Sequence, residues 1–225
     1  MTMEKLRRSV LIVTLTAVST LLLIGMAATG CEGDYPIEPI AYDSAYQIKL
    51  YEKPPYAGFE QGYWHQDVFV KLIPNSEPPF YFRIRPRSNT GKKAVQYLAD
   101  KENSIIRQMS ELGNGDILVT ATQYFECSSI FISDDYYAEG DEQGKRIHVG
   151  NIITIKMKAG RDVKNIEEQY SNALTFDHDT SETDSDPTAT RYIYKCRYNN
   201  SYQVLQIASQ LYQHEDVEWA EVEMF

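Results

Sequence analysis

The sequence predicts an α+β fold in two parts. The C-terminal half runs β-α-β-β-α-β, and a smaller N-terminal half has an antiparallel sheet and one main helix. Three observations carry this expectation. Apolar and polar residues alternate through Asn151–Met157, Thr190–Tyr198 and Val217–Met224, the two-residue period of strands. Apolar residues recur at helical spacing in Val163, Ile166 and Tyr170, and again in Val204, Ile207, Ala208 and Leu211, which marks helices with one buried face. Turn residues (Ala159-Gly160, Asn199-Asn200) separate these segments.

In the C-terminal half, Ile153, Ile155 and Met157 face one way along the first strand. Asp162 is placed to cap the first helix and Ser201 the second, as short side chains that accept backbone N–H bonds. Ala173–Phe176 is a short strand, followed by an acidic excursion, Asp177 to Asp186, which Pro187 closes. Along the next strand Tyr192, Tyr194, Cys196 and Tyr198 oppose Arg191, Ile193, Lys195 and Arg197. The resulting order is the split βαβ arrangement of ferredoxin-like folds, with both helices on one face of the sheet.

In the N-terminal half, Tyr46–Tyr51, Val68–Ile73 and Phe80–Arg85 read as strands. Phe80, Phe82 and Ile84 would share one face of the third, and Arg83, Arg85 and Arg87 would line the other, as an anion site or as a solvated strand face. Phe59, Tyr63, Trp64 and His65 fall in a glycine-containing loop, Tyr56 to Trp64 at its core, which reads as a ligand platform or as a flap over its own sheet. Lys92–Leu112 reads as the main helix, ended by Gly113-Asn114-Gly115. Asp116–Ala121 and Ser129–Ser133 follow as strands, and Asp134–Lys145 as an exposed loop or domain boundary.

Residues 1–30 form a targeting segment: Lys5, Arg7 and Arg8, the apolar run Val10–Ile24, then Ala27-Ala28-Thr29-Gly30 before Cys31. Small residues directly before a cysteine resemble the lipobox of bacterial lipoproteins, although Ala28 stands where leucine is usual. That resemblance implies cleavage before Cys31, with lipid on its thiol and new amino terminus. The protein would then be membrane-anchored at the bacterial cell envelope, on the outer membrane or cell surface. An uncleaved anchor is the other reading, but Thr14, Thr16, Ser19 and Thr20 break an apolar run already short for a span. The expected organisation is a signal peptide (1–30), a tether (31–45), an N-terminal α+β domain (46–145) and a ferredoxin-like domain (146–225).

With 22 Lys and Arg against 32 Asp and Glu, the chain is acidic, which argues against nucleic-acid binding, since phosphate contacts need a basic face. Cys127 and Cys196 are a candidate disulfide or two buried thiols, and the sequence leaves both open. No Gly-x-Ser-x-Gly elbow, activated-thiol motif or phosphate-binding glycine loop occurs. His65, His148, His178 and His214 lack metal-ligand spacing. Asp177-x-Asp179 begins like a calcium loop, but the turn glycine and closing glutamate are missing. A non-enzyme without metal or cofactor is expected.

Asn151–Gly160, the apolar helix Val204–Tyr212 and the closing Val217-Glu218-Trp219-Ala220-Glu221 resemble prodomains of subtilisin-like serine proteases, especially of secreted Bacteroides-type proteases. Gly91–Ile132 looks like the segment that precedes this module there. Val222 and Glu223 replace the usual Pro-Asn, and none of the protease's own Asp-Thr-Gly, His-Gly-Thr or Gly-Thr-Ser-Met-Ala segments is present. The resemblance implies a stand-alone prodomain-like protein that inhibits, or assists folding of, a subtilisin-like protease in trans. Its tail Glu221, Val222, Glu223, Met224 and Phe225 would lie in the substrate groove, held by main-chain pairing with Met224 and Phe225 in pockets. A surface lipoprotein acting as a protein-interaction or structural module is the alternative. It predicts a packed tail and a binding surface elsewhere, with the aromatic loop as the candidate.

Overall fold

A computed structural model describes residues 39–56, 59–100, 105–140, 145–180 and 190–225. The expected signal segment, Cys31 and the first part of the expected tether lie outside the described residues. The fold is mixed α+β, built mostly of antiparallel sheets with few helices.

In the C-terminal half, β11 (Val149–Met157), β12 (Leu174–Asp179), β13 (Arg191–Cys196) and β14 (Val217–Met224) form one sheet in the order β12-β13-β11-β14, every neighbour antiparallel. Helices α2 (Lys164–Gln169) and α3 (Ser201–Tyr212) complete the expected β-α-β-β-α-β order. Their apolar stripes (Ile166; Val204, Leu205, Ile207, Ala208 and Leu211) join Ile153, Ile155, Tyr194 and Cys196 in one buried cluster. Alternation put these strand residues on one face, and removing that face from water is the main force holding the helices to it. The Asp162 carboxylate accepts from Lys164 N at 3.0 Å in a turn at the helix entrance, while the cap position itself is Val163, which makes no side-chain cap bond. The second cap is not Ser201. Asn200 Oδ1 accepts from Gln203 N at 3.0 Å, and the Ser201 hydroxyl turns inward to a buried carboxylate.

The N-terminal half contributes three sheets. β1 (Ala41–Asp43), β2 (Ile48–Tyr51) and β8 (Tyr124–Cys127) pair in the order β1-β2-β8, so the end of the expected tether is a strand. β3 (Gln61–His65), β4 (Val68–Pro74) and β10 (Tyr136–Ala138) pair as β10-β4-β3. β5 (Phe80–Pro86), β6 (Ile106–Glu111), β7 (Ile117–Ala121) and β9 (Ile130–Asp134) pair as β6-β7-β5-β9. Phe80, Phe82 and Ile84 are buried on one face of β5, as alternation predicted, packed with Val95 and Leu98 of α1 (Asn89–Asp100).

Three expectations change. The main helix is described over Asn89–Asp100, and Ile106–Glu111, expected to belong to it, is a strand paired with β7. The spacing of Ile105, Ile106, Met109 and Leu112 satisfies a helical period by coincidence, and a free sheet edge decided the segment's state. The aromatic loop is in part a strand: Gln61–His65 pairs with Val68–Leu72 around Gln66 and Asp67, both at positive φ (47° and 63°). Such tight hairpins usually carry Asn or Gly there. Here the Tyr212 hydroxyl supports the turn, accepting from Asp67 N and donating to Asp67 Oδ1 at 2.5 Å. Finally, Asp134–Lys145 is not simply an exposed loop, since Asp134 and Asp135 are buried and Tyr136–Ala138 is a strand.

Contacts cross the expected join at residue 145/146. Tyr136 and Ile147 exchange backbone hydrogen bonds, and Leu72, Phe131 and Tyr136 belong to the C-terminal core cluster.

Candidate functional site

The tail, which the prodomain resemblance would lay in a substrate groove, is paired into the protein's own sheet. Glu221 stands opposite Thr154, Val222 opposite Ile153 and Met224 opposite Val149. Phe225 continues the pairing, its N–H donating to His148 O at 3.0 Å and its carbonyl accepting from His148 N at 3.3 Å. The side chains are pinned as well. The Arg83 guanidinium lies 3.3 Å from the Phe225 ring centroid, a cation–π contact, and Arg85 Nη1 lies 3.4 Å from Glu223 Oε2.

Both arginines are held in turn by Asp116, whose side chain is 2% exposed. Arg83 Nε reaches Oδ2 at 2.7 Å, and Arg85 reaches Oδ1 at 2.9 Å and Oδ2 at 3.1 Å. Burial raises the Asp116 pKa, but the Arg85 and Arg83 guanidiniums outweigh it and hold the carboxyl below its usual range. Two of the three residues expected as an arginine-lined anion site therefore serve to anchor the C-terminus. Arg87 donates instead to the Cys196, Arg197 and Tyr198 carbonyls, joining the two halves.

Between the halves runs a buried polar seam that the sequence did not announce. Tyr56 Oη donates to Asp134 Oδ2 and bonds Tyr124 Oη. Ser201 Oγ donates to Asp134 Oδ2 at 2.9 Å and bonds Tyr136 Oη at 2.8 Å. Burial pushes the Asp134 carboxyl up to about 6 despite the Tyr56 and Ser201 bonds. Asp135, also pushed up to about 6 by burial, faces Arg146 Nε at 3.4 Å.

The seam ends in a cleft of about 470 Å³ between the β3–β4 hairpin and α3, lined by Gln61, Trp64, Phe69, Gln206, Gln210 and Gln213 among others. Gln61 lies at its buried end, 3% exposed. The Gln61 Oε1 accepts from Tyr136 Oη at 2.9 Å, and Nε2 has no hydrogen-bond partner. Whichever way the amide is turned, one polar atom is tied to the seam and the other lacks a protein partner. Trp64 is fixed beside it, stacked on Tyr212 at 5.1 Å and donating Nε1 to Ser209 Oγ at 3.2 Å. Gly62 leaves room for the hairpin's own packing, since a Cβ there would press against the Val70 carbonyl and the Phe69 ring. Trp64 was singled out in sequence as part of a platform. Gln61 and the helix glutamines were not, because they look like any polar helix or strand face until the hairpin and α3 are brought together.

A second cleft, about 590 Å³, lies beside the tail over Tyr81, Met109, Leu118, Arg146 and His148. Its cations are already engaged, Arg146 with Asp135 and the Tyr81 ring. Cys127 and Cys196 are buried in separate core clusters and are not joined in a disulfide. Asp177 pairs with Lys195 and His178, and the remainder of the acidic excursion from Ser181 onward lies outside the described residues. Among the described residues no group of three or more His, Cys, Asp or Glu is placed to hold a metal ion, and no helix is long and apolar enough to cross a membrane.

Fold and site together define an α+β protein with a sheet-bound C-terminus and one cleft carrying an unsatisfied buried amide. No protein-family model matches the chain, nor does any curated protein or solved structure.

Proposed function

We propose that this protein is a non-enzymatic binding module of the bacterial cell envelope, lipid-anchored through Cys31, that meets its ligand with the hairpin–α3 cleft rather than with its C-terminal tail. The observation that carries the reading is the tail itself. Glu221 to Phe225 are paired with β11 and His148, and Glu223 and Phe225 are held by Arg85 and Arg83. A tail lying in a protease groove would have to break these bonds before making new ones. The interaction-module reading, by contrast, calls for a packed tail and a binding surface near Trp64.

The β12-β13-β11-β14 order with two crossing helices supports a ferredoxin-like C-terminal half. That same order, with an apolar residue ending the edge strand, favours the second reading, a prodomain-like inhibitor or folding assistant of a subtilisin-like protease.

A titration separates the two. The soluble protein, residues 32–225, is added to a panel of subtilisin-like proteases while peptide hydrolysis is followed. The binding-module reading expects no inhibition, or inhibition that persists when Met224 and Phe225 are removed. Saturable inhibition that disappears with those two residues would overturn it and establish the prodomain-like mechanism.

A further inference from the structure

Resting on the cleft reading above, we propose that the hairpin–α3 cleft is a binding site for a neutral saccharide. Charge narrows the ligand first. Among the described residues the lining includes one carboxylate, Glu60, and no Lys, Arg or His, so phosphorylated or carboxylated ligands find no counter-charge there.

The polar complement narrows it further. Gln61, Gln206, Gln210 and Gln213 each carry a donor and an acceptor on one planar amide. Sugar hydroxyls also donate and accept, and adjacent hydroxyls match a primary amide two at a time. The Gln61 amide is preorganised by Tyr136, and its free atom is buried. An unpaired buried amide is unfavourable, a penalty that a ligand hydroxyl reaching Gln61 would remove.

The apolar complement agrees. Trp64 and Phe69 are half-buried, 5.3 Å apart and inclined at 60°, and so offer flat surface to the C–H face of a pyranose ring while Tyr212 and Ser209 keep Trp64 from turning. An extended peptide is favoured less. Peptide grooves pair backbone with an edge strand and seat alternate side chains in apolar pockets. Here the Phe69 ring fills the side-chain position of Gly62 on the edge strand, and the exposed α3 wall is glutamine.

The chain contains two tryptophans, Trp64 and Trp219, so Trp219→Phe makes Trp64 the sole indole reporter. Emission of that protein is followed while cellotriose, maltotriose, mannotriose or chitotriose is added. At least one is expected to change Trp64 emission saturably, with half-saturation near or below about 1 mM. Gln61→Leu should weaken that binding about tenfold or more. Because Gln61→Leu also leaves Tyr136 Oη short of a partner, Gln210→Ala, a change on the exposed helix wall, is the second variant and should weaken binding several-fold with its far-UV spectrum unchanged. The proposal is overturned if none of the four sugars binds at about 10 mM, if both variants bind like the parent, or if a capped neutral tetrapeptide binds in their place. Lack of sugar binding, with protease inhibition still absent or tail-independent, would remove the saccharide and leave the binding-module reading standing. Tail-dependent inhibition would remove that reading whatever the sugars do.

Discussion

Replacing Asp116 by asparagine tests whether one carboxylate anchors the C-terminus. The substitution keeps the shape and removes the charge, leaving Arg83 and Arg85, 11% and 29% exposed, facing a neutral amide. Breaking a buried ion pair by neutralising one partner costs about 3–5 kcal/mol. Arg85 is partly hydrated and retains Glu223, so the lower end, about 3 kcal/mol, is expected. With a urea slope of about 2 kcal/mol/M, the unfolding midpoint should fall by about 1.5 M. The loss should also reach the tail, because Arg83 covers Phe225 and Arg85 meets Glu223. Native-state hydrogen exchange should therefore speed up at the His148 and Phe225 amides more than at Ile153 or Ile155 in the middle of β11. A midpoint shift under about 0.3 M, or unchanged exchange at His148 and Phe225, would refute the anchoring argument.

Four further outcomes are expected. Asp134 is buried with its carboxyl raised to about 6, so its contribution favours the fold below the unfolded carboxylate pKa and is lost as pH rises through about 6. A shift of about two units corresponds to about 3 kcal/mol. Asp134→Asn should accordingly flatten the rise in urea midpoint expected of the parent on acidifying from pH 7 to 5, and a slope equal to the parent's would count against a buried, ionising Asp134. Gly62→Ala places a methyl against the Val70 carbonyl and the Phe69 ring and should destabilise by about 1–3 kcal/mol in thermal unfolding. Cys127 and Cys196, 2% exposed each, should resist a thiol reagent in the native protein and both react in about 6 M urea; an intact-mass gain on reduction would show that they pair instead. Cys31→Ala should abolish incorporation of labelled fatty acid into the expressed full-length chain, and retained label would exclude lipidation at that residue.

The sequence by itself determined much of the C-terminal half. Ile153, Ile155, Tyr194 and Cys196 were legible as one sheet face, and Val204, Ile207, Ala208 and Leu211 as one helix stripe, because both periods follow from local geometry. The face of β5 that carries Phe80, Phe82 and Ile84 was legible for the same reason. Other features depended on distant partners. Ile106–Glu111 is a strand because β7 offers an edge, and Gln61–His65 is a strand because Tyr212, far along the chain, supports its turn at Asp67. Ser201 has the residue type of a helix cap, yet its hydroxyl is spent on Asp134, a competition that local sequence does not express. The fate of the tail was likewise decided only in three dimensions, since Asp116 must first collect Arg83 and Arg85 before they can hold Phe225 and Glu223. The cleft shows the same division: the aromatic content of the hairpin was visible in sequence, but an unpaired amide at Gln61 exists only once Tyr136 has taken its other atom and α3 has closed over it. Periodicity records which face of an element is buried, and it holds no record of which distant side chains will meet there.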